Sequence, residues 1–329
     1  MAGTRVYFSH RTSLQLLRTS SPTKRAPLQG PSRALPDRAP STAELAEIVE
    51  RLRAAHHGVR IDQPVHVLVG TAAHRRLAPD CREHVCAAPL AGREFCRLAE
   101  GAFSAGAALA LVQIAVDEKS PIALLELVYE ACGTYQTRRT GVGSAYDVPP
   151  LACVDDLRAF VARNPSLAGA GKLGRVLRYA ADRSASPRET KQALVLGLPL
   201  RQGGEGLGIP RMNFVVRASP AARAIAGRSS FRCDLCWPEA KLDVEYQSRF
   251  AHEGEASRLR DSRRTNALMA MGWTVVGVTN DELDSPAATE TIARTIRRHL
   301  GKRSQFRIDD LHARKLHLRR RLGLPTGWE

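Results

Sequence analysis

No apolar run in this chain is long enough to cross a membrane, and its first residues lack the apolar core of an export signal. Met1 to Arg18 carries only the short runs Val6-Tyr7-Phe8 and Leu14-Gln15-Leu16-Leu17. The expectation is a cytoplasmic protein that does not engage membranes. Cysteine offers no disulfide framework: the seven residues are odd in number and irregularly spaced, so reduced thiols are expected. A zinc site is not expected either. Cys233-x-x-Cys236 has no second pair to match it, residues three apart on a regular strand face opposite ways, and Cys81, His84 and Cys86 are loosely arranged. Phosphate-loop chemistry is excluded because Gly171-Lys172 lacks the upstream glycine and the following Ser or Thr. The Gly203–Gly208 run precedes a strand, so it fails the dinucleotide pattern. Aromatic residues are few, at 5%, although 43% hydrophobic content is ordinary for a globular chain. Acidic residues are also short: 33 Asp and Glu stand against 49 Lys and Arg, for a net charge of +16. Such an excess points to a polyanionic partner, above all nucleic acid; an arginine-favouring codon bias is the competing explanation.

A length of 329 residues predicts two domains. The first, residues 1–150, is expected to be a small mixed α/β domain. It should hold a strand near Val6, a helix opened by Ser9, an extended basic Pro-rich segment over 18–41, and a helix begun by the capping box Ser41-Thr42-Ala43-Glu44. Strand-like Pro64–Val69 and two apolar helices, Leu109–Ala115 and Ile122–Ala131, complete it, Gly133 ending the second helix. Nothing in this half forms a catalytic constellation, so docking of DNA or of a protein partner is its expected role. Residues 151–175 read as a helix and a Gly/Ala-rich hinge. Residues 176–301 give the order helix, three strands, helix, strand, helix, which implies a mixed sheet flanked by helices. Basic residues outnumber acidic ones in the tail 302–329, where Ile308, Leu311, Leu318 and Leu322 could form one helical face.

Chemistry concentrates between Ser186 and Thr279. Glu189 opens a helix after Ser186-Pro187-Arg188, and Asp234 and Glu245 fall on two adjacent strand-like runs joined by Trp237-Pro238-Glu239-Ala240. If Cys236 lies opposite Lys241, then Asp234 lies opposite Asp243, and both share a face with Glu245 and Gln247. Leu235, Leu242, Val244 and Tyr246 then point into a core. Carboxylates converging on one face are the ligands a hard divalent cation needs to work on a phosphodiester. Each residue also has a plainer reading. Glu189 is the acid of a capping box. Glu245 belongs equally to a solvated sheet face, and Asp243 reads as a surface or supporting residue. Asp234 has fewer structural excuses, because Asp is depleted in strands. His252 is either a proton carrier or an ordinary loop histidine. Arg258, Arg263 and Arg264 on the following helix are candidates for phosphate contacts, or else members of Arg–Asp pairs on a solvated face.

Taken in order, these pieces resemble the PD-(D/E)XK nuclease superfamily, and within it the DUF559 and very-short-patch-repair-like branch. They are the acid-bearing helix at Glu189, the turn from Asp234 to Glu239, the Val244-Glu245 strand, Asp261-Ser262-Arg263-Arg264 and Met271-Gly272-Trp273-Thr274-Val275-Val276. The resemblance covers roughly residues 175–300. It implies a restriction-endonuclease-like fold and hydrolysis of duplex DNA with Mg2+ or Mn2+. Asp234, Glu245 and Glu189 would be the metal ligands, with Gln247 orienting water where the family often has Lys. Gln247 supplies no positive charge, so a nuclease fold kept for DNA binding alone stands as the alternative. The layout of the first half resembles, by order of elements, the domain preceding the nuclease-like region in AbiEi-type antitoxin-related proteins.

Overall fold

The computed structural model describes residues 4–28, 34–73, 80–88, 90, 92–247, 255–303 and 308–327, with backbone alone at 27, 92 and 255–258. Mixed sheets are flanked by helices, an α/β architecture, and the chain divides into two compact units, Met1–Arg178 and Tyr179–Glu329. No described helix is long and apolar enough to cross a membrane.

The first unit holds β1 (Val6–Phe8), α1 (His10–Thr19), β2 (Ala26–Pro27), α2 (Thr42–Ala55), β3 (Val65–Val69), β4 (Cys81–Val85), β5 (Phe95–Ala99) and β6 (Ala102–Ala105). Its helical part comprises α3 (Ala107–Asp117), α4 (Pro121–Cys132), α5 (Val154–Arg163) and α6 (Ala170–Val176), with a small hairpin of β7 (Tyr135–Gln136) and β8 (Ala145–Tyr146) after α4. The sheet runs β2-β5-β6-β1-β3-β4, with β1 parallel to β6 and β3 parallel to β4. Ser41 and Glu44 form the reciprocal cap expected of α2, whose Leu45, Ile48 and Leu52 pack on Val6, Phe8, Val65 and Val67. Two expectations change here. Ala26 and Pro27, inside the stretch read as a linker, pair with β5 at the sheet edge, a position that tolerates proline. The helix expected after Leu151 is α5, and the stretch read as a hinge ends in α6; both pack on α3, with α6 also against α4, so they are part of this unit's core.

The second unit holds α7 (Pro187–Gly197), β9 (Arg211–Arg217), α8 (Pro220–Ala226), β10 (Ser230–Trp237), β11 (Leu242–Gln247), α9 (Glu255–Ala270), β12 (Thr274–Thr279), α10 (Asn280–Asp284), α11 (Pro286–His299) and α12 (Leu311–Arg321). Its sheet runs β12-β11-β10-β9; β11 and β12 are parallel and the other pairs antiparallel. Ala267 and Leu268 of α9 pack with Phe231, Cys233 and Cys236 of β10 and Ala222 of α8. The basic tail is a docked helix: Leu318 and Leu322 are buried, and Lys315 bonds buried Glu205 at 2.8 Å. Arg297 of α11 is also buried and pairs with the same Glu205.

Candidate active site

The site lies where β10 and β11 part company. Their recorded pairs are Leu235 with Val244, Cys236 with Asp243, and Trp237 with Leu242. This register is shifted by two residues from the expected one, because the turn is a single 3-10 turn at Pro238–Ala240 closed by Lys241 in the left-handed region (φ 48°). An even shift preserves the faces, so Leu235, Leu242 and Val244 remain fully buried in the core. Only the partner changes: Asp243 faces Cys236, not Asp234.

Beyond Leu235 the ladder gives way. The Asp234 carboxylate, through Oδ2, accepts the backbone N–H of Tyr246 at 3.0 Å. On the other neighbour, Asn213 is held at φ 48° between the pairs Met212–Leu235 and Phe214–Cys233. Regular alternation breaks at Asp234. Cys233 and Cys236, expected on opposite faces, share one buried cluster, and their thiols interact. That bond, with burial second, pushes the Cys233 thiol far up, so it is no nucleophile at neutral pH.

Two carboxyl groups meet one guanidinium here. Arg264 of α9 donates to Asp243 Oδ2 at 3.2 Å, to Glu245 Oε1 at closer range, and to the carbonyl of Arg232 at 2.7 Å. Asp243, read from the sequence as a surface or supporting residue, is completely buried. Its Oδ1 has no hydrogen-bond donor, while the Asp243 and Glu245 carboxyls lie close enough to share a proton. One oxygen each from Asp243 and Glu245 and the Cys233 sulfur all fall within 4.8 Å of one another. Burial pushes the Asp234 carboxyl up to about 6, with the charge of Glu245 adding to it. Glu245 is raised by burial and then by Asp243, and Asp243 chiefly by burial. In a low-dielectric site one guanidinium cannot neutralise this many carboxylates, so protons stay on.

Glu189 approaches from α7. Ser186 Oγ accepts its backbone N–H at 3.1 Å, so the helix cap is real. Both Glu189 oxygens carry donors: Ser186 Oγ at 2.9 Å on one, and the Ala185 N–H at 3.0 Å with Asn213 Nδ2 at 2.8 Å on the other. Its carboxyl is raised by burial and then by the charge of Asp234. Gln247 ends β11, exposed, on the face of Glu245 and across Gly277, where an added Cβ would come within 2.6 Å of its Nε2. Arg263 is exposed, whereas Arg264 is turned into the acidic cluster and only 20% exposed, an acid partner more than an open phosphate ligand. Arg258 lies on α9, its side chain outside the described residues, and His252 lies outside them altogether.

The structure thus brings Asp234, Glu245 and Arg264 together, with Glu189 at the edge. The sequence reading missed Asp243 as a member, because only the observed register sets it opposite the core residue Cys236.

No protein-family model matches the chain, and no solved structure does. An uncharacterized protein of Mycobacterium tuberculosis strain H37Rv is 29% identical over 127 residues, 39% of this chain and 41% of that protein. An uncharacterized protein of strain CDC 1551 / Oshkosh matches to the same extent. The match therefore spans about two fifths of the length of these relatives.

Proposed function

We propose that the second unit is a metal-dependent nuclease domain that hydrolyses phosphodiester bonds of DNA, with Asp234, Asp243 and Glu245 at its centre. The observation that carries this reading is the buried Asp243 Oδ1 without a donor, set in a group of carboxyls whose pKa values are raised chiefly by burial. Such a group fits a hard divalent cation, which prefers carboxylate oxygens and can replace the retained protons. A bound Mg2+ or Mn2+ would supply positive charge at the scissile phosphate and acidify the attacking water.

The chain's own residues divide the remaining work. Asp234 is fixed through Oδ2 by the Tyr246 amide. Asp243 and Glu245 would hold the cation, beside Arg264, which bonds both carboxylates. Gln247, on the face of Glu245, orients water through its amide. Glu189 braces Asn213 beside Asp234 and adds negative charge. The chain's net charge of +16 favours approach of a polyanion, and exposed Arg263 is available to phosphate.

The second reading, a nuclease-like fold that binds DNA without cutting it, has its own support: Arg264 already occupies the acid pair, and Gln247 carries no charge. Supercoiled plasmid with Mg2+ or Mn2+ separates the two, using the wild type beside Asp234→Asn and Asp243→Asn. Metal-dependent nicking that both substitutions abolish is the expected result. DNA binding without nicking in the wild type would discard the nuclease in favour of the second reading.

A further inference from the structure

The first unit contains a histidine cluster that no local sequence spacing reveals. His10 follows β1, His66 lies on β3 and His84 on β4. Because β3 and β4 run parallel with His66 paired to Arg82 and Leu68 to His84, the two histidines share one face, offset by two residues. Their rings join through Nδ1 of His66 and Nε2 of His84 at 2.8 Å. His10 is brought over them by a backbone in the left-handed region, φ 50°, which a β-carbon-bearing residue adopts only where surrounding contacts hold it. Its N–H donates to Gln113 Oε1 at 3.2 Å, and its ring stacks on that of His84 with centroids 3.5 Å apart. One nitrogen from each of the three rings lies within 4.8 Å of the others.

Three imidazoles crowded in this way repel protons. Burial holds the His10 ring near a pKa of about 2, helped by the other two histidines, and His66 is lowered chiefly by burial. A neutral imidazole carries the lone pair that a metal takes. The cluster also borders a cavity of about 330 Å³ lined by His10, His84, Gln113, Glu83, Asp117 and Cys86 among others. Gln113 lines this cavity, is 8% exposed, and its Nε2 is buried with no acceptor. A buried amide donor left without an acceptor favours an oxygen ligand within its reach.

We propose that His10, His66 and His84 bind one divalent transition-metal ion of the zinc class, with its remaining position open to the cavity and to an oxygen ligand that Gln113 Nε2 can bond. Imidazole suits zinc, cobalt, nickel and copper, and three protein ligands with an open fourth position are typical of accessible zinc sites. At metal–nitrogen distances of about 2.0–2.1 Å, tetrahedral ligands sit roughly 3.3–3.4 Å apart. The His66–His84 contact therefore has to open by about half an ångström, with small ring rotations. Arg82 and Arg11 set opposing charge near His66, and Arg82 bridges to Asp117 at 3.8 Å.

The test uses the full chain, stripped with chelator and titrated with Co(II). The expected result is one equivalent bound with a visible ligand-field band and no near-ultraviolet thiolate band. Zinc should displace the cobalt and protect histidine from diethyl pyrocarbonate. His66→Gln and His84→Gln should each weaken zinc, in competition with a chromophoric chelator, by at least about a hundredfold, since even supporting residues cost 10–100-fold. If these variants fail to fold, the cobalt spectrum and histidine protection of the wild type decide. No stoichiometric cobalt uptake, a thiolate band, or undiminished binding in both folded variants would each overturn the proposal.

Discussion

Replacing Asp234 with Asn should make the second unit more stable near pH 8, although it removes a residue of the proposed catalytic centre. The folded carboxyl titrates at about 6, against 3.8 for an ordinary Asp, because burial and Glu245 oppose its charge. A group whose folded pKa is raised contributes stability that is fully present below the unfolded value and is lost as pH rises through the folded one. The window therefore runs from roughly pH 4 to above pH 6. At about 1.4 kcal/mol per pH unit, the difference corresponds to about 3 kcal/mol charged against the ionised form at pH 8. Asn carries no charge and its side-chain oxygen still accepts the Tyr246 N–H, so it escapes most of that cost without losing the bond. Tryptophan fluorescence isolates the unit, since Trp237, Trp273 and Trp328 all belong to it. Urea titrations should show variant and wild type nearly equal near pH 4 and the variant ahead by up to about 3 kcal/mol near pH 8. Magnesium should close the gap by stabilising only the wild type. A variant less stable than wild type near pH 8 would refute the claim that this carboxylate is held against repulsion.

Other substitutions probe the neighbouring groups. Arg264→Leu removes a guanidinium bonded to both Asp243 and Glu245, and should cost about 3–5 kcal/mol near pH 8, with the loss shrinking in acid as the carboxyls protonate; urea titration at two pH values checks it. Glu189→Gln keeps the Ser186 cap, so it should leave the melting temperature within a few degrees. Plasmid nicking that also survives it would mark Glu189 as a brace and not a metal ligand. In the first unit, the lowered pKa values of His10 and His66 mean that the folded state refuses protons the unfolded chain accepts. Stability should therefore fall as pH drops below about 6.5, and His66→Gln should flatten that slope in circular-dichroism melts. DNA affinity should decline steeply with salt, by filter binding or fluorescence anisotropy, if the excess positive charge meets phosphates.

Much of the local structure was legible in the chain. Ser41 and Glu44 announced α2, Ser186-Pro187 announced α7, and the alternation of Leu242, Val244 and their acidic neighbours announced β11, because caps and period-two patterns act over a few residues. The acidic face survived an error of two in the predicted register for the same reason: faces depend on parity alone. Edge strand β2 and the short strands β4 to β6 were not legible, since brief strands gain their stability from partners distant in sequence.

The sequence by itself determined that Asp234, Asp243 and Glu245 would lie on adjacent strands and that the chain would carry a large positive charge. Only the tertiary structure decided that Asp243 is buried, that Arg264 turns inward to meet it, and that the strands part at Asp234 so that its carboxylate takes a backbone amide. The gathering of His10, His66 and His84 is likewise a product of strand order, with β3 and β4 beside β1. Pairing between distant segments sets which side chains share a low-dielectric pocket, and that environment, not residue identity, fixes their charge.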